Sequence, residues 1–116
     1  MTAAVAGITA NEVETKVLKA PGAVALDFCQ ASCPLYRSLE PRLERIARQY
    51  KGRLPAYRVD IDRDMPVAER FGVKSIPTIL VIRGGEEVAR LDGLITDREL
   101  TTASDREVSG ATTKGT

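Results

Sequence analysis

The sequence predicts an α/β domain with a central mixed sheet of four to five strands and helices on both faces. Between residues 3 and 72, short apolar runs alternate with segments of helical periodicity, a pattern typical of parallel strands joined by crossover helices. Two β-rich runs then meet at Gly84-Gly85, the signal of an antiparallel hairpin. At 116 residues the chain is long enough for one domain. We place that domain at 1–104 and a flexible polar tail at 105–116.

The first elements are a short strand near Ala3–Ile8 and a helix over residues 11–20. Thr9 and Glu12 have capping-box spacing ahead of the helix, and Pro21 follows its end. The next apolar run, Ala-Val-Ala-Leu-Asp-Phe, is bounded by a glycine and by the first cysteine. Such a run predicts a central strand buried on both faces.

A long amphipathic helix is predicted from Pro34 until Gly52, because apolar residues recur there every three or four positions. Pro41 inside it predicts a kink, since proline removes one backbone donor. The apolar positions are Leu35, Leu39, Leu43, Ile46, Ala47 and Tyr50.

The second half begins with a half-buried strand over 54–62, where apolar and charged residues alternate. A short helix over 66–72 and the hairpin over 78–91 follow. Thr96 and Glu99 repeat the capping-box spacing. We expect the helix that they open to be short, because little apolar support follows it.

Composition excludes several classes of function. Seventeen basic and sixteen acidic residues give a net charge of +1, so neither nucleic acid nor an anionic membrane is an expected partner. No signal peptide and no apolar run of about 20 residues is evident, which favours the cytoplasm. The chain has no histidine, and its two cysteines cannot complete a tetrahedral zinc site, so no metal is expected.

Cys33 is the strongest candidate for a reactive group. It falls between the predicted central strand and the long helix, and Pro34 suits the first helical turn. Unpaired backbone N–H groups and the helix dipole favour a negative charge there, and therefore the nucleophilic thiolate. The alternative is a buried thiol that acts as a small hydrophobic residue.

Several segments together resemble thioredoxins over residues 8 to about 100. These are VLKAPGAVALDFCQASCPLYRSLEPRLERIA, RVDIDRD, FGVKSIPTILVIRGGEEV and LDGL. The resemblance implies a thioredoxin fold, with Cys33 as the attacking cysteine and Pro77 as a cis-proline facing it. It also places Tyr36 where the family has its second cysteine and Arg37 where it has a lysine.

Tyr36 is a departure in the chemistry, because thioredoxin-type reduction needs a second thiol to release the product. Three hypotheses remain: Cys33 works as a monothiol with an outside thiol such as glutathione, Cys29 is an unusual resolving thiol, or the site binds partners without turnover. A Cys29–Cys33 disulfide requires Cα atoms about 4.4–6.8 Å apart, whereas four extended residues span roughly 13 Å. The loop would have to turn back sharply. A further hypothesis is that Tyr36 was engineered in place of a natural cysteine.

Asp27 lies in an otherwise apolar strand. Buried without a partner, its carboxyl group would have a raised pKa, as a proton-handling group would. The resemblance implies assistance in proton transfer at the second cysteine, a task left unclear by Tyr36. The alternative is a strand-end aspartate that reaches solvent.

The resemblance implies an apolar groove that receives a client peptide beside the sulfur. The resemblance also implies that Ser32 and Asp92 are more polar than is usual around this groove, so the clients are expected to differ from those of ordinary thioredoxins. We therefore expect partners with disulfides or thiols, with a thioredoxin reductase or glutathione as reductant and no other cofactor. The predicted groove residues are Ile61, Val73, Ser75, Ile76, Pro77 and Gly93.

Overall fold

The computed structural model describes residues 4–113, with side chains as far as Val108. The elements along the chain are β1 (Val5–Gly7), α1 (Ala10–Val13, continued by a π-helical segment over Glu14–Leu18), β2 (Val24–Cys29), α2 (Pro34–Gln49), β3 (Ala56–Asp60), α3 (Met65–Arg70), β4 (Thr78–Arg83), β5 (Glu86–Asp92) and α4 (Asp97–Thr113). Within this part of the chain, no helix has both the length and the apolar composition required to cross a membrane.

The five strands form one mixed sheet in the order β1-β3-β2-β4-β5. β3 pairs in parallel with β1 and β2, whereas β4 pairs antiparallel with β2 and β5. Gly84 and Gly85 connect β4 to β5 with φ angles of 60° and 81°, a left-handed conformation that glycine adopts without strain. The predicted mixed sheet with β2 at its centre is confirmed.

Side chains of β2 alternate between two apolar cores. Leu26 and Phe28 face the core that includes residues of α1 and α3. Ala25 packs against the opposite core, to which α2 and α4 contribute. Because strand side chains alternate, Asp27 and Cys29 lie on the α2 face with Ala25. The helices therefore cover both faces of the sheet, as predicted.

Helix α2 buries a different set of residues from the predicted one at its start. Tyr36 is 2% exposed, whereas Leu35 is 43% exposed, so the prediction that Leu35 is a core residue is wrong. The stripe that begins at Tyr36 continues through Leu39 and Leu43 at three- and four-residue spacing. Leu35 lies about 100° away from Tyr36 around the helix and points outward.

The prediction of a short last helix is wrong, since α4 extends from Asp97 to Thr113. Contacts with distant elements anchor its second half. The Tyr50 hydroxyl donates to the Asp105 carboxylate, and Arg83 donates to the backbone carbonyl of Glu107. Val108 also packs against the α2-side core. Whether 105–116 is a flexible tail stays a prediction, and residues 114–116 lie outside the described part.

Candidate active site

Cys33 is the N-cap residue of α2, and Pro34 occupies the first helical turn. The backbone N–H of Cys33 donates to the Gln30 carbonyl at 2.9 Å, which closes the turn after β2. Its carbonyl accepts the first helical hydrogen bond, from the Arg37 N–H at 3.0 Å. The thiol thus stands at a helix N-terminus, the position that the sequence predicts for it.

The loop before β4 lies against this sulfur. Cys33 Sγ is 3.6 Å from the carbonyl oxygen of Ile76, and the Ile76–Pro77 peptide bond is cis. The hydroxyl of buried Thr78 donates to the Ser75 carbonyl at 2.6 Å, which fixes the loop from its inner side. A main-chain carbonyl therefore borders the place where a disulfide would approach Cys33.

Two neighbouring cavities divide the predicted groove. A cavity of about 310 Å³ contains Cys33 together with Ile61, Val73, Ser75 and Ile76. Pro77 and Gly93 instead line an adjacent cavity of about 430 Å³. Its wall includes Leu35 and Leu94, which is 79% exposed. The structure therefore places four of the predicted groove residues in the cavity of Cys33 and the other two in the adjacent cavity.

Asp27 is 2% exposed, which excludes a strand-end carboxylate in solvent. Its Oδ2 accepts a 3.0 Å hydrogen bond from the Tyr36 hydroxyl and lies 3.8 Å from Arg58 Nε. Its Oδ1 has no hydrogen-bond partner among the described residues. Burial raises the Asp27 pKa to about 7, although the Tyr36 hydrogen bond and the Arg58 charge oppose that rise.

Tyr36 fills the position that the resemblance assigns to a second cysteine. Its side chain is buried on the inner side of α2, and its hydroxyl donates a hydrogen bond to Asp27. Burial and the Asp27 charge raise its pKa far above the usual range, so the phenol keeps its proton at neutral pH. Where the resemblance implies a second thiol, the structure therefore has a fixed hydrogen-bond donor.

Cys29 does not share the Cys33 cavity. It is 6% exposed and lines a cavity of about 420 Å³ with Tyr36 and Arg58, on the α2 face of the sheet. The Cys33 cavity instead includes Ile61 and Ala68, which belong to the core on the other face. Both thiols are free. Burial and the Asp27 charge raise the Cys29 pKa to about 11, which keeps this thiol protonated at neutral pH.

Sequence reasoning missed Arg58 and Glu40 as members of this site. Arg58 lies directly opposite Asp27 in the parallel register of β2 and β3, and its Nη2 is 3.4 Å from Glu40 Oε2. In the sequence, Arg58 alternates with the apolar residues of β3, and this pattern indicates that its side chain points to the other face of the strand. Only the strand register, which no local pattern specifies, shows that it faces Asp27.

Metal binding has no support in the described part of the chain, where no group of three or more His, Cys, Asp or Glu side chains is placed to hold an ion. Tetrahedral and octahedral sites both need several converging ligands. The arrangement around Cys33 offers one thiol, a backbone carbonyl, apolar side chains and a few polar ones, among them Lys74. Such a site suits sulfur exchange.

Comparisons with known proteins show which family this chain is similar to. The family model described as Thioredoxin matches residues 4–106. Thioredoxin 1 of Nostoc sp. is 32% identical over 92 residues, which cover 79% of this chain and 86% of that protein. Thioredoxin of Pseudomonas aeruginosa is 28% identical over 108 residues, or 93% of this chain and 100% of the relative. Thioredoxin M2, chloroplastic, of Arabidopsis thaliana is 31% identical, and the match covers 80% of this chain but 50% of the relative.

Proposed function

The chain belongs to the thioredoxin family, and we propose that it is a thiol-disulfide exchange protein that works with one cysteine, Cys33. The observation that carries this proposal is Tyr36, whose buried hydroxyl is bonded to Asp27 at the position of the second thiol. No group at that position can attack a mixed disulfide. Cys33 is the half-exposed thiol of the chain.

The proposed reaction has two exchange steps. The Cys33 thiolate attacks one sulfur of a client disulfide, so that the client S–S bond breaks, a Cys33–client disulfide forms and the second client sulfur leaves as a thiolate. An external thiolate then attacks this mixed disulfide on the client sulfur. It forms a new disulfide with the client and releases the Cys33 thiolate, so that no net oxidant or reductant is consumed at the protein.

Cys29 is a poor candidate for the second step. Its thiol is buried, and its pKa of about 11 leaves very little thiolate at pH 7. Its cavity also shares no lining residue with that of Cys33. We therefore propose glutathione as the resolving thiol, in a reducing compartment such as the cytoplasm, with a thioredoxin reductase as the other candidate reductant.

The client surface proposed here combines the cis-proline loop with two exposed leucines. Leu35 and Leu94 line the cavity that also contains Pro77. Exposed apolar side chains next to a reactive thiol favour clients with apolar residues near their disulfide. The main-chain carbonyl of Ile76 beside Cys33 adds a polar contact for an extended chain.

The test is catalysis of disulfide exchange between a peptide disulfide and reduced glutathione. We expect the rate to be first order in glutathione at low concentration, because an external thiol completes the cycle. Cys33→Ser should abolish the catalysed rate. Cys29→Ala is the matched control, because it removes the other thiol of the chain, and it should keep the rate within about twofold.

Two results would contradict the proposal. A loss of activity in Cys29→Ala equal to that in Cys33→Ser, with both variants folded, would make Cys29 the resolving thiol. Partner binding that survives Cys33→Ala, with no catalysed exchange in the unmodified protein, would identify a binding module without redox turnover.

A further inference from the structure

The cavity that contains Cys33 has one charged side chain in its wall. Among the described residues that line it, Lys74 is charged, whereas the others are apolar or neutral, such as Val73 and Ser75. Lys74 is exposed and forms no ion pair with any residue of the described part. Its positive charge is therefore available to a molecule in the cavity.

One arginine in each of the two neighbouring cavities lies beside an acidic residue. Arg58 is 3.4 Å from Glu40 in the Cys29 cavity. Arg42 is 2.8 Å from Asp97 in the cavity that contains Leu35. Gln30, which lines the Cys33 cavity, donates a 3.1 Å hydrogen bond to Asp62, but Asp62 itself does not line the cavity. Lys74 is thus a positive charge in the Cys33 cavity that no acidic side chain of the cavity wall compensates.

We infer that Lys74 selects thiols and disulfides that carry a carboxylate next to the reacting sulfur. This inference rests on the proposed exchange function of Cys33. A cavity of about 310 Å³ is at the lower limit of ligand-binding pockets, which suits a small thiol or a few residues of a peptide rather than a large ligand. Glutathione, with a carboxylate at each end, has this chemistry, and so does a client cysteine flanked by Asp or Glu.

Selection acts on both exchange steps. In the first step, Lys74 attracts the anionic disulfide toward the Cys33 sulfur, and the client thiolate that leaves carries its own negative charge away. In the second step, Lys74 attracts the anionic thiolate that attacks the mixed disulfide. In a water-like dielectric, one unit charge within several ångströms of another changes such a rate about threefold, and the effect weakens as salt is added.

The experiment compares second-order rates of exchange with glutathione disulfide, which is anionic, and cystamine, which is cationic. In Lys74→Gln we expect the ratio of the glutathione disulfide rate to the cystamine rate to fall about tenfold, because one rate decreases and the other increases. Lys74→Arg should restore the ratio, since it keeps the charge. Lys51→Gln is the matched control: it removes a lysine just beyond the other end of α2, and the ratio should not change.

Two peptide disulfides that differ only in Glu or Lys beside the cysteine distinguish the sources of the carboxylate. A loss of charge preference in Lys74→Gln with these peptides supports an acidic client, and a loss confined to glutathione disulfide supports the small thiol. Equal ratios in the unmodified protein and in Lys74→Gln, with both folded, would overturn the inference and leave the proposed function standing. If the unmodified protein does not react with the neutral disulfide 4,4′-dithiodipyridine, both the proposed exchange function and the inference about Lys74 are wrong.

Discussion

Replacing Asp27 by Asn should stabilise the protein at neutral and alkaline pH and leave it nearly unchanged below pH 3.8. Asp27 is 2% exposed, and its pKa of about 7 compares with an ordinary value of 3.8. The folded state therefore keeps a proton that the unfolded chain releases over this range. Stability from this group is fully present below pH 3.8 and is lost as the pH rises through 7.

The size of the effect follows from the two pKa values. Each pH unit between them corresponds to about 1.4 kcal/mol, so ionised Asp27 destabilises the folded state by about 4 kcal/mol. Asn can still accept the hydrogen bond from Tyr36, but Arg58 loses one of its two carboxylate neighbours. We therefore expect Asp27→Asn to gain about 2–4 kcal/mol in the free energy of unfolding at pH 8.

The assay is urea unfolding at pH 5, 6, 7 and 8. The unmodified protein should lose about 1 kcal/mol per pH unit between pH 5 and 7, whereas Asp27→Asn should be nearly flat. Asp92→Asn removes an exposed carboxylate and should change the free energy of unfolding by less than about 0.5 kcal/mol. Parallel curves for the unmodified protein and Asp27→Asn would refute a buried Asp27 with a raised pKa.

Three further predictions concern Tyr36 and the last helix. Tyr36→Phe removes the donor to Asp27 and should cost about 1–3 kcal/mol in urea unfolding at pH 8, while the Asp27 carboxyl signal in NMR should titrate at higher pH than in the unmodified protein. A gain in stability at pH 8 would contradict this hydrogen bond. Tyr36→Cys places a thiol within the first turn after Cys33, so mild oxidation should remove two hydrogens from the intact mass, and an unchanged mass would show that the side chains cannot meet. Ending the chain after residue 104 removes Glu107 and Val108, which contact Arg83 and the α2-side core, and should lower the free energy of unfolding by about 2–4 kcal/mol. An unchanged value would place the end of the folded domain at residue 104.

The elements that the sequence predicts well are those with strong local signals. β2 is an apolar run, and the hairpin turns at two glycines, so both depend on neighbouring residues alone. Helix α4 was predicted too short because its second half is held by Tyr50 and Arg83, which lie far away in the chain. Polar contacts between distant elements leave no trace in the apolar periodicity of the helix itself.

The same distinction applies to the site. The place of Cys33 follows from a strand end and a proline, both local. The Asp27–Arg58 contact depends on the register between two strands, and the burial of Tyr36 depends on which stripe of α2 faces the sheet. Leucine at position 35 was the more apolar residue, yet geometry turns it outward and turns the tyrosine inward. The residue type at position 36 already removes the second thiol in the sequence, whereas the bond of its hydroxyl to Asp27 follows only from the fold.

The most direct test of single-cysteine exchange is the intact mass of the protein after incubation with glutathione disulfide. We predict one added glutathione in the unmodified protein and in Cys29→Ala, none in Cys33→Ser, and no species that has lost two hydrogens. Peptide mapping should place the adduct on Cys33. A species lacking two hydrogens, or an adduct on Cys29, would contradict exchange through Cys33 alone.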